Sequence, residues 1–145
     1  MSPNFCLLLN FCSTWAMVGL IWLIQIVHYP LFAKVGPDRF REYADDHQRL
    51  ITFIVLPLMF VELGTSFTLW TSRPENLTNT AVTTGIILVV VIWASTFFLQ
   101  VPQHGKLSLG FDAAAHASLV SSNWIRTIAW SLRGVLTAWM VWKVM

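Results

Sequence analysis

Four apolar stretches, each long enough to cross a lipid bilayer, constrain this chain more than any other feature. They run over about residues 5–29, 50–70, 80–101 and 124–142. A helix needs about 20 apolar residues to span the hydrocarbon core. Backbone polar groups must be paired within a segment that lies in hydrocarbon, so each stretch is predicted to be an α-helix. We therefore predict a single domain over residues 1–145, an all-α, integral membrane four-helix bundle.

The composition excludes the other classes of protein. Charged residues make up 11% of the 145 residues and hydrophobic residues 56%, whereas soluble domains carry about 25% charged residues. A disordered chain is excluded because disorder requires low hydrophobicity and high charge. The net charge is +2 and no basic run is present, so no nucleic-acid partner is expected. The chain is therefore expected to lie in a lipid bilayer.

Prolines and polar residues mark the predicted helix ends. Pro30 and Pro102 follow the first and third stretches. They are predicted to end those helices, because proline lacks the N–H that continues a helix. The connections over residues 30–49, 71–79 and 102–123 are predicted loops, and Asp112 is a candidate N-cap of a short helix within the last one.

Positive charge is divided unevenly between the two sides of the predicted bundle. The side that holds the first and third connections carries five basic residues, Lys34, Arg39, Arg41, Arg49 and Lys106. The other side carries Arg73 and Lys143. Short cytoplasmic loops are enriched in Lys and Arg. We therefore expect a bacterial inner-membrane protein with both termini outside the cytoplasm.

The fourth apolar stretch carries a polar stripe that a lipid-facing surface would not carry. Its members are spaced three and four residues apart, which places them on one helix face. They are Asn123, Arg126, Trp130, Arg133 and Thr137. This face is predicted to point into the bundle, where Asn123 and Arg126 are candidates to hold an anionic oxygen.

Two charges are predicted to lie deep within the apolar stretches. Glu62 interrupts the second stretch and Arg133 the fourth. An isolated charge at the bilayer centre costs at least about 2.5–3.5 kcal/mol, so we predict that the two side chains pair. Such a pair either fixes helix packing or serves as a proton relay, a metal ligand or a substrate anchor.

Three histidines flank the apolar stretches on the predicted cytoplasmic side: His28, His47 and His104. Neutral imidazole is a common ligand of zinc, copper and iron, so a transition-metal site among them is one interpretation. A haem held by His28 and His104 beside Trp130 is another. Acid–base roles without a cofactor and a simple preference for the interface are the alternatives. His116, in the third connection, is predicted to be solvated.

Two short segments of the second half resemble a known family. Val101-Pro102-Gln103-His104 follows the third stretch, and Asn123-Trp124-Ile125-Arg126-Thr127 opens the fourth. Together they resemble the anthrone-oxygenase-like family of small four-helix membrane proteins. The resemblance implies oxidation of a lipophilic aromatic substrate at the membrane face, with His104, Asn123 and Arg126 in the site.

Three functional hypotheses follow from these residues. The first is an oxidoreductase-type site for a lipophilic small molecule, dependent on a metal or haem, in which Glu62 and Arg133 relay a proton or set the field of the cavity. The second is a non-catalytic subunit of a larger membrane complex or homo-oligomer. The third is a binder of a lipid, quinone or pigment, with Trp22, Trp93 and Trp130 lining the pocket. An enzyme needs a cavity with unpaired polar groups, whereas a packing network needs none.

Overall fold

The computed structural model describes residues 2–145 and is built from four long helices. They are α1 (Pro3–Phe32), α2 (Pro37–Thr71), α3 (Asn79–Leu107) and α4 (Ala113–Val144). Helix α1 packs against α2 and α4, and α3 packs against the same two helices, so the four form a bundle. The described residues contain no strand, and the prediction of an all-helical chain is confirmed.

Side-chain caps fix where three of the helices begin. The Ser2 hydroxyl accepts a hydrogen bond from the N–H of Phe5 at 3.3 Å, and the Thr78 hydroxyl accepts one from Ala81 at 3.2 Å. Asp112 accepts from the N–H of Ala115 at 2.8 Å, which satisfies one of the unpaired donors at the start of α4. The predicted cap at Asp112 is present, but it opens a long helix and not a short one.

The second and fourth helices begin earlier than the sequence predicts. Helix α2 begins at Pro37 and not near residue 50, and α4 begins at Ala113 and not near residue 124. The predicted loops over residues 30–49 and 102–123 are therefore mostly helical, which corrects those boundaries. Hydropathy detects only the apolar part of a helix. The extension of α2 is polar, and its exposed ion pair Arg39–Glu42 follows helical i,i+3 spacing at 3.3 Å.

Pro30 and Pro102 lie inside helices, which corrects the prediction that they end them. Each follows a π-helical turn, Ile24–His28 in α1 and Thr96–Gln100 in α3. In these turns the N–H of Tyr29 bonds the carbonyl of Ile24, five residues back, and α3 repeats the pattern. A π turn holds one extra residue, so the chain is wider where a proline ring would collide with the preceding turn of an α-helix.

The core alternates apolar and polar layers along the bundle axis. Apolar layers surround Leu7 at the end that holds the termini, Met59 in the middle and Phe32 at the opposite end. Buried arginines lie between these layers, Arg133 in one polar layer and Arg126 in the other. The polar stripe of α4 therefore points inward, as its spacing predicts.

Three of the four helices, α1, α2 and α3, are long and apolar enough to cross a membrane. The fourth predicted span falls within α4, which does not meet the same criterion and carries both buried arginines. Outward-facing residues of α4 are nevertheless apolar; they include Ile128, Leu132 and Val135.

Helices α1 and α4 cross closely at Gly134. A Cβ built on Gly134 would lie 3.1 Å from Cγ2 of Val18, whereas one on Gly64 meets nothing within 4 Å. We expect Gly134→Leu to lower the free energy of unfolding by about 1–3 kcal/mol through overpacking. Gly64→Leu is the matched control and should not destabilise the bundle, because leucine favours a helix more than glycine does. Denaturant titration in detergent micelles measures both, and equal effects would contradict the crossing.

Candidate functional site

The buried polar residues form two separate clusters. The deep cluster, Thr14, Glu62, Trp130 and Arg133, lies between the middle apolar layer and the terminal one. The mouth cluster, Tyr29, His104, Asn123 and Arg126, lies near the other end. The structure thus divides the predicted site residues between two places in the bundle.

The deep cluster is built around the carboxylate of Glu62. One oxygen, Oε1, accepts from the Thr14 hydroxyl at 2.7 Å and from Arg133 Nε at 3.3 Å. The other, Oε2, accepts from the indole N–H of Trp130 at 2.9 Å. The Arg133 and Glu62 side chains are 1% and 3% exposed. The predicted pair is present, and its donors leave neither carboxylate oxygen without a partner.

Arg133 is satisfied on its remaining sides as well. Its Nη1 donates to the carbonyl of Gly85 at 2.6 Å, and its Nη2 donates to the hydroxyls of Ser66 at 3.2 Å and Thr14 at 3.3 Å. Among the described residues, the only buried side-chain N or O atom without a partner is Oε1 of Gln103. A cluster with every group paired has the arrangement expected of a packing network.

The mouth cluster holds a cation that has no counter-ion. Arg126 Nε donates to Asn123 Oδ1 at 2.9 Å, its Nη2 donates to the Tyr29 hydroxyl at 3.2 Å, and its Nη1 donates to the Thr96 hydroxyl at 3.4 Å. The residue is 6% exposed. Within residues 2–145, no carboxylate lies within salt-bridge distance of Arg126. All of its described partners are neutral, which distinguishes it from Arg133.

The π turn of α1 helps to position Asn123. It carries Gln25 inward, and Oε1 of Gln25 accepts from Nδ2 of Asn123 at 2.9 Å and from the Thr127 hydroxyl at 3.3 Å. Gln25 Nε2 in turn donates to the carbonyl of Val120 at 3.2 Å. Asn123 is therefore oriented with its carbonyl oxygen toward Arg126. π turns of this kind frequently occur at functional sites.

Tyr29 links Arg126 to His104 and was not among the predicted site residues. Its hydroxyl oxygen accepts from Arg126 and lies 3.0 Å from Nε2 of His104. An arginine only donates, so the pairing that satisfies all three groups has Tyr29 donating to Nε2, with the proton of His104 on Nδ1. One feature of the sequence could have indicated this role. Tyr29 follows the inward-facing Gln25 by four residues, a spacing that places two residues on the same helix face.

The other two predicted histidines bond to each other. His28 Nε2 and His47 Nδ1 are 2.8 Å apart, which requires an N–H on one ring and a bare nitrogen on the other. The His47 and His104 rings are 5.6 Å apart between centroids. His116, predicted to be solvated, is half-buried and donates through Nε2 to the carbonyl of Tyr29 at 2.8 Å, which satisfies a carbonyl near the end of α1.

The three histidines do not converge as the ligands of one metal ion. Among residues 2–145, no three His, Cys, Asp or Glu side chains converge as metal ligands. In the structure the Nε2 atoms of His28 and His104 are hydrogen-bonded to His47 and Tyr29. The haem at these two histidines stays a prediction.

A cavity of about 280 Å³ lies beside the mouth cluster. Its inner wall includes Tyr29, His104 and Arg126. Its outer rim includes Leu56 and Phe97, which are exposed on the outer sides of α2 and α3. We call this cavity the ligand pocket. It combines an apolar opening with a polar inner end, which is the usual form of a small-molecule site.

Two of the three tryptophans predicted to line a pocket do so. Trp93 and Trp130 line the ligand pocket. Trp22 is 42% exposed and donates to the hydroxyl of Ser131 at 3.1 Å on the outer surface, which corrects its assignment. Trp130 also belongs to the deep cluster through Glu62, so it forms a wall common to both.

Comparisons with family models, curated proteins and solved structures found no match to this chain. The resemblance to the anthrone-oxygenase-like family, carried by residues 101–104 and 123–127, therefore stays a prediction. The two segments that carry it meet in space, because His104 and Arg126 both contact the hydroxyl of Tyr29.

Proposed function

We propose that the protein is integral to a membrane and that all four helices cross it. Helices α1, α2 and α3 have the necessary length and hydropathy. Helix α4 places Arg126 and Arg133 inside the bundle, so the surface it presents outward is apolar despite its charges. The excess of Lys and Arg near the α1–α2 and α3–α4 connections favours a cytoplasmic location for the mouth cluster, in the bacterial inner membrane.

The function that the geometry supports best is the binding of a lipophilic small molecule that carries an acidic oxygen. The observation that carries this proposal is Arg126, a buried cation without a carboxylate partner that lines the ligand pocket. Its four hydrogen bonds to Asn123, Tyr29 and Thr96 occupy four of its five N–H groups. An oxyanion would supply the missing counter-charge and accept the remaining N–H.

The reaction proposed for this ligand begins with the loss of its proton. Tyr29 and His104 form the acid–base pair nearest to Arg126. A phenolate is oxidised more readily than the phenol, so ionisation beside Arg126 would prepare an aromatic substrate for oxidation. In a two-electron oxidation of a hydroquinone, the electron pair passes to dioxygen and the two hydroxyl protons are released from the ligand. Two protons taken up from water then complete hydrogen peroxide, so the overall reaction balances. This is the oxidoreductase class that the sequence predicts.

The alternative of a purely structural subunit predicts a different arrangement at the mouth. A packing network needs no cavity, and the deep cluster has that form. The ligand pocket adds open space beside Arg126, which has no carboxylate partner within residues 2–145. This arrangement favours a binding role over a purely structural one.

A matched pair of ligands tests the proposal. We expect a lipophilic nitrophenol to bind the detergent-solubilised protein at least about tenfold more tightly than its methyl ether, because a charge-assisted hydrogen bond contributes about 1.5–3 kcal/mol. The visible absorption of the bound phenolate reports its ionisation. Equal affinity for the two ligands, or a bound phenol that stays neutral at alkaline pH, would refute the anion site.

A further inference from the structure

A second cavity, of about 440 Å³, opens between α1 and α2. Its lining includes His28, Tyr43, Asp46 and His47, and we call it the histidine groove. Ile24 lines both this groove and the ligand pocket, so only a thin wall separates them. The polar members of the groove lie at its end nearest the α1–α2 connection, the side proposed to face the cytoplasm.

A row of imidazoles crosses from the groove to the ligand pocket. His28 Nε2 lies 2.8 Å from His47 Nδ1. The His47 and His104 rings are 5.6 Å apart between centroids and inclined by 34°. Among the described residues no direct hydrogen bond joins these two rings, and one bridging water would complete the row. His104 Nε2 then lies 3.0 Å from the hydroxyl of Tyr29.

We propose that His28 and His47 conduct protons between the histidine groove and the His104–Tyr29 pair in the ligand pocket. This inference rests on the proposed function, because it supplies the exit for the proton that the bound ligand loses. The ligand pocket opens toward lipid beside Leu56 and Phe97, where hydrocarbon gives no aqueous path. The row of histidines provides a path through the protein.

Each transfer in this route conserves protons. The ligand hydroxyl gives its proton to the Tyr29 oxygen as the proton of Tyr29 passes to His104 Nε2. His104 then releases its Nδ1 proton through the bridging water to His47 Nε2. His47 passes its Nδ1 proton to His28 Nε2, and His28 releases its own Nδ1 proton to water in the groove. Every imidazole takes a proton on one nitrogen and gives one from the other.

Charged groups lie at both ends of the row. Arg126 lies at the pocket end, where its positive charge repels an excess proton. Asp46 lines the groove end, and its carboxylate is paired with Arg49 at 2.8 Å. The titratable and charged groups that face the row are Tyr29, Tyr43, Asp46, Arg126 and His116.

A pH jump with the nitrophenol already bound tests the route. The absorbance change gives the rate at which the bound phenol exchanges its proton with bulk water. We expect His47→Gln and His28→Gln each to slow this exchange roughly 10²-fold. Their affinities for the ligand should stay at the wild-type value, because neither residue lines the ligand pocket. Imidazole added to a His28→Ala variant should restore part of the rate.

His116→Gln is the matched control, since it removes an imidazole at the same end of the bundle but off the row. Unchanged exchange in both the His28 and His47 variants, with normal affinity, would overturn the route and leave the proposed function intact. Failure of the wild-type protein to prefer the phenol over its ether would instead overturn the proposed function, and the route with it.

Discussion

Replacement of Arg133 by leucine is expected to lower the free energy of unfolding by about 3–5 kcal/mol. Among residues 2–145, Arg133 is the only cationic partner of Glu62, whose carboxylate is 3% exposed, and the change removes it. Thr14 and Trp130 would still donate to it, but neutral donors do not offset the cost of a buried charge. Denaturant titration in detergent micelles, followed by circular dichroism, measures the loss.

Two comparison variants distinguish the effect of leaving the Glu62 charge uncompensated from the effect of losing the Arg133 side chain. Adding Glu62→Gln to Arg133→Leu should recover part of the stability, because no uncompensated charge then remains in the core. Arg39→Leu breaks an exposed ion pair and should change the free energy of unfolding by less than about 1 kcal/mol. A double variant that is less stable than Arg133→Leu alone would contradict the charge-pair account.

Arg126→Gln is expected to weaken binding of the lipophilic nitrophenol roughly 10²-fold, which corresponds to about 2.7 kcal/mol. Glutamine keeps a donor amide but removes the positive charge, so the bound oxyanion loses its counter-ion. The preference for the phenol over its methyl ether should disappear with it. Equilibrium titration followed by the phenolate absorbance gives both affinities.

Lys106→Gln serves as the control for Arg126→Gln. Lys106 is an exposed cation at the end of α3 and does not line the ligand pocket, so its removal lowers the net charge equally. The affinity of the Lys106→Gln variant for the nitrophenol should stay at the wild-type value. A similar loss in both variants would indicate a long-range effect of net charge and would contradict a specific site at Arg126.

Helical periodicity and the cost of buried charge predicted much of the polar core from the sequence. The spacing of Asn123, Arg126 and Arg133 placed all three on the inner face of α4, where the structure has them. The cost of an isolated charge in hydrocarbon was enough to pair Glu62 with Arg133. Both arguments need only the helical repeat and the chemistry of the side chain.

Helical periodicity and the cost of buried charge could not predict the details of the mouth cluster. Tyr29 carries no charge and is common at membrane interfaces, so its type did not mark it as a site residue. The predicted three-histidine metal site is not found among the described residues, because sequence spacing does not show whether side chains from three helices converge on one point. The π turns were missed because an inserted residue shifts the helical repeat by about 100° without changing composition.

The prolines after the π turns influence which residues of the two helices face the bundle axis. If the π turn of α1 closed to a regular α-helix, residues beyond it would rotate by about 100° and carry Tyr29 away from Arg126. Such closure would gain no hydrogen bond between position 30 and the carbonyl of Ile26, because proline has no N–H. The same holds for Pro102 in α3. The two prolines therefore remove part of what a regular α-helix would gain, which favours the register in which Tyr29 reaches Arg126.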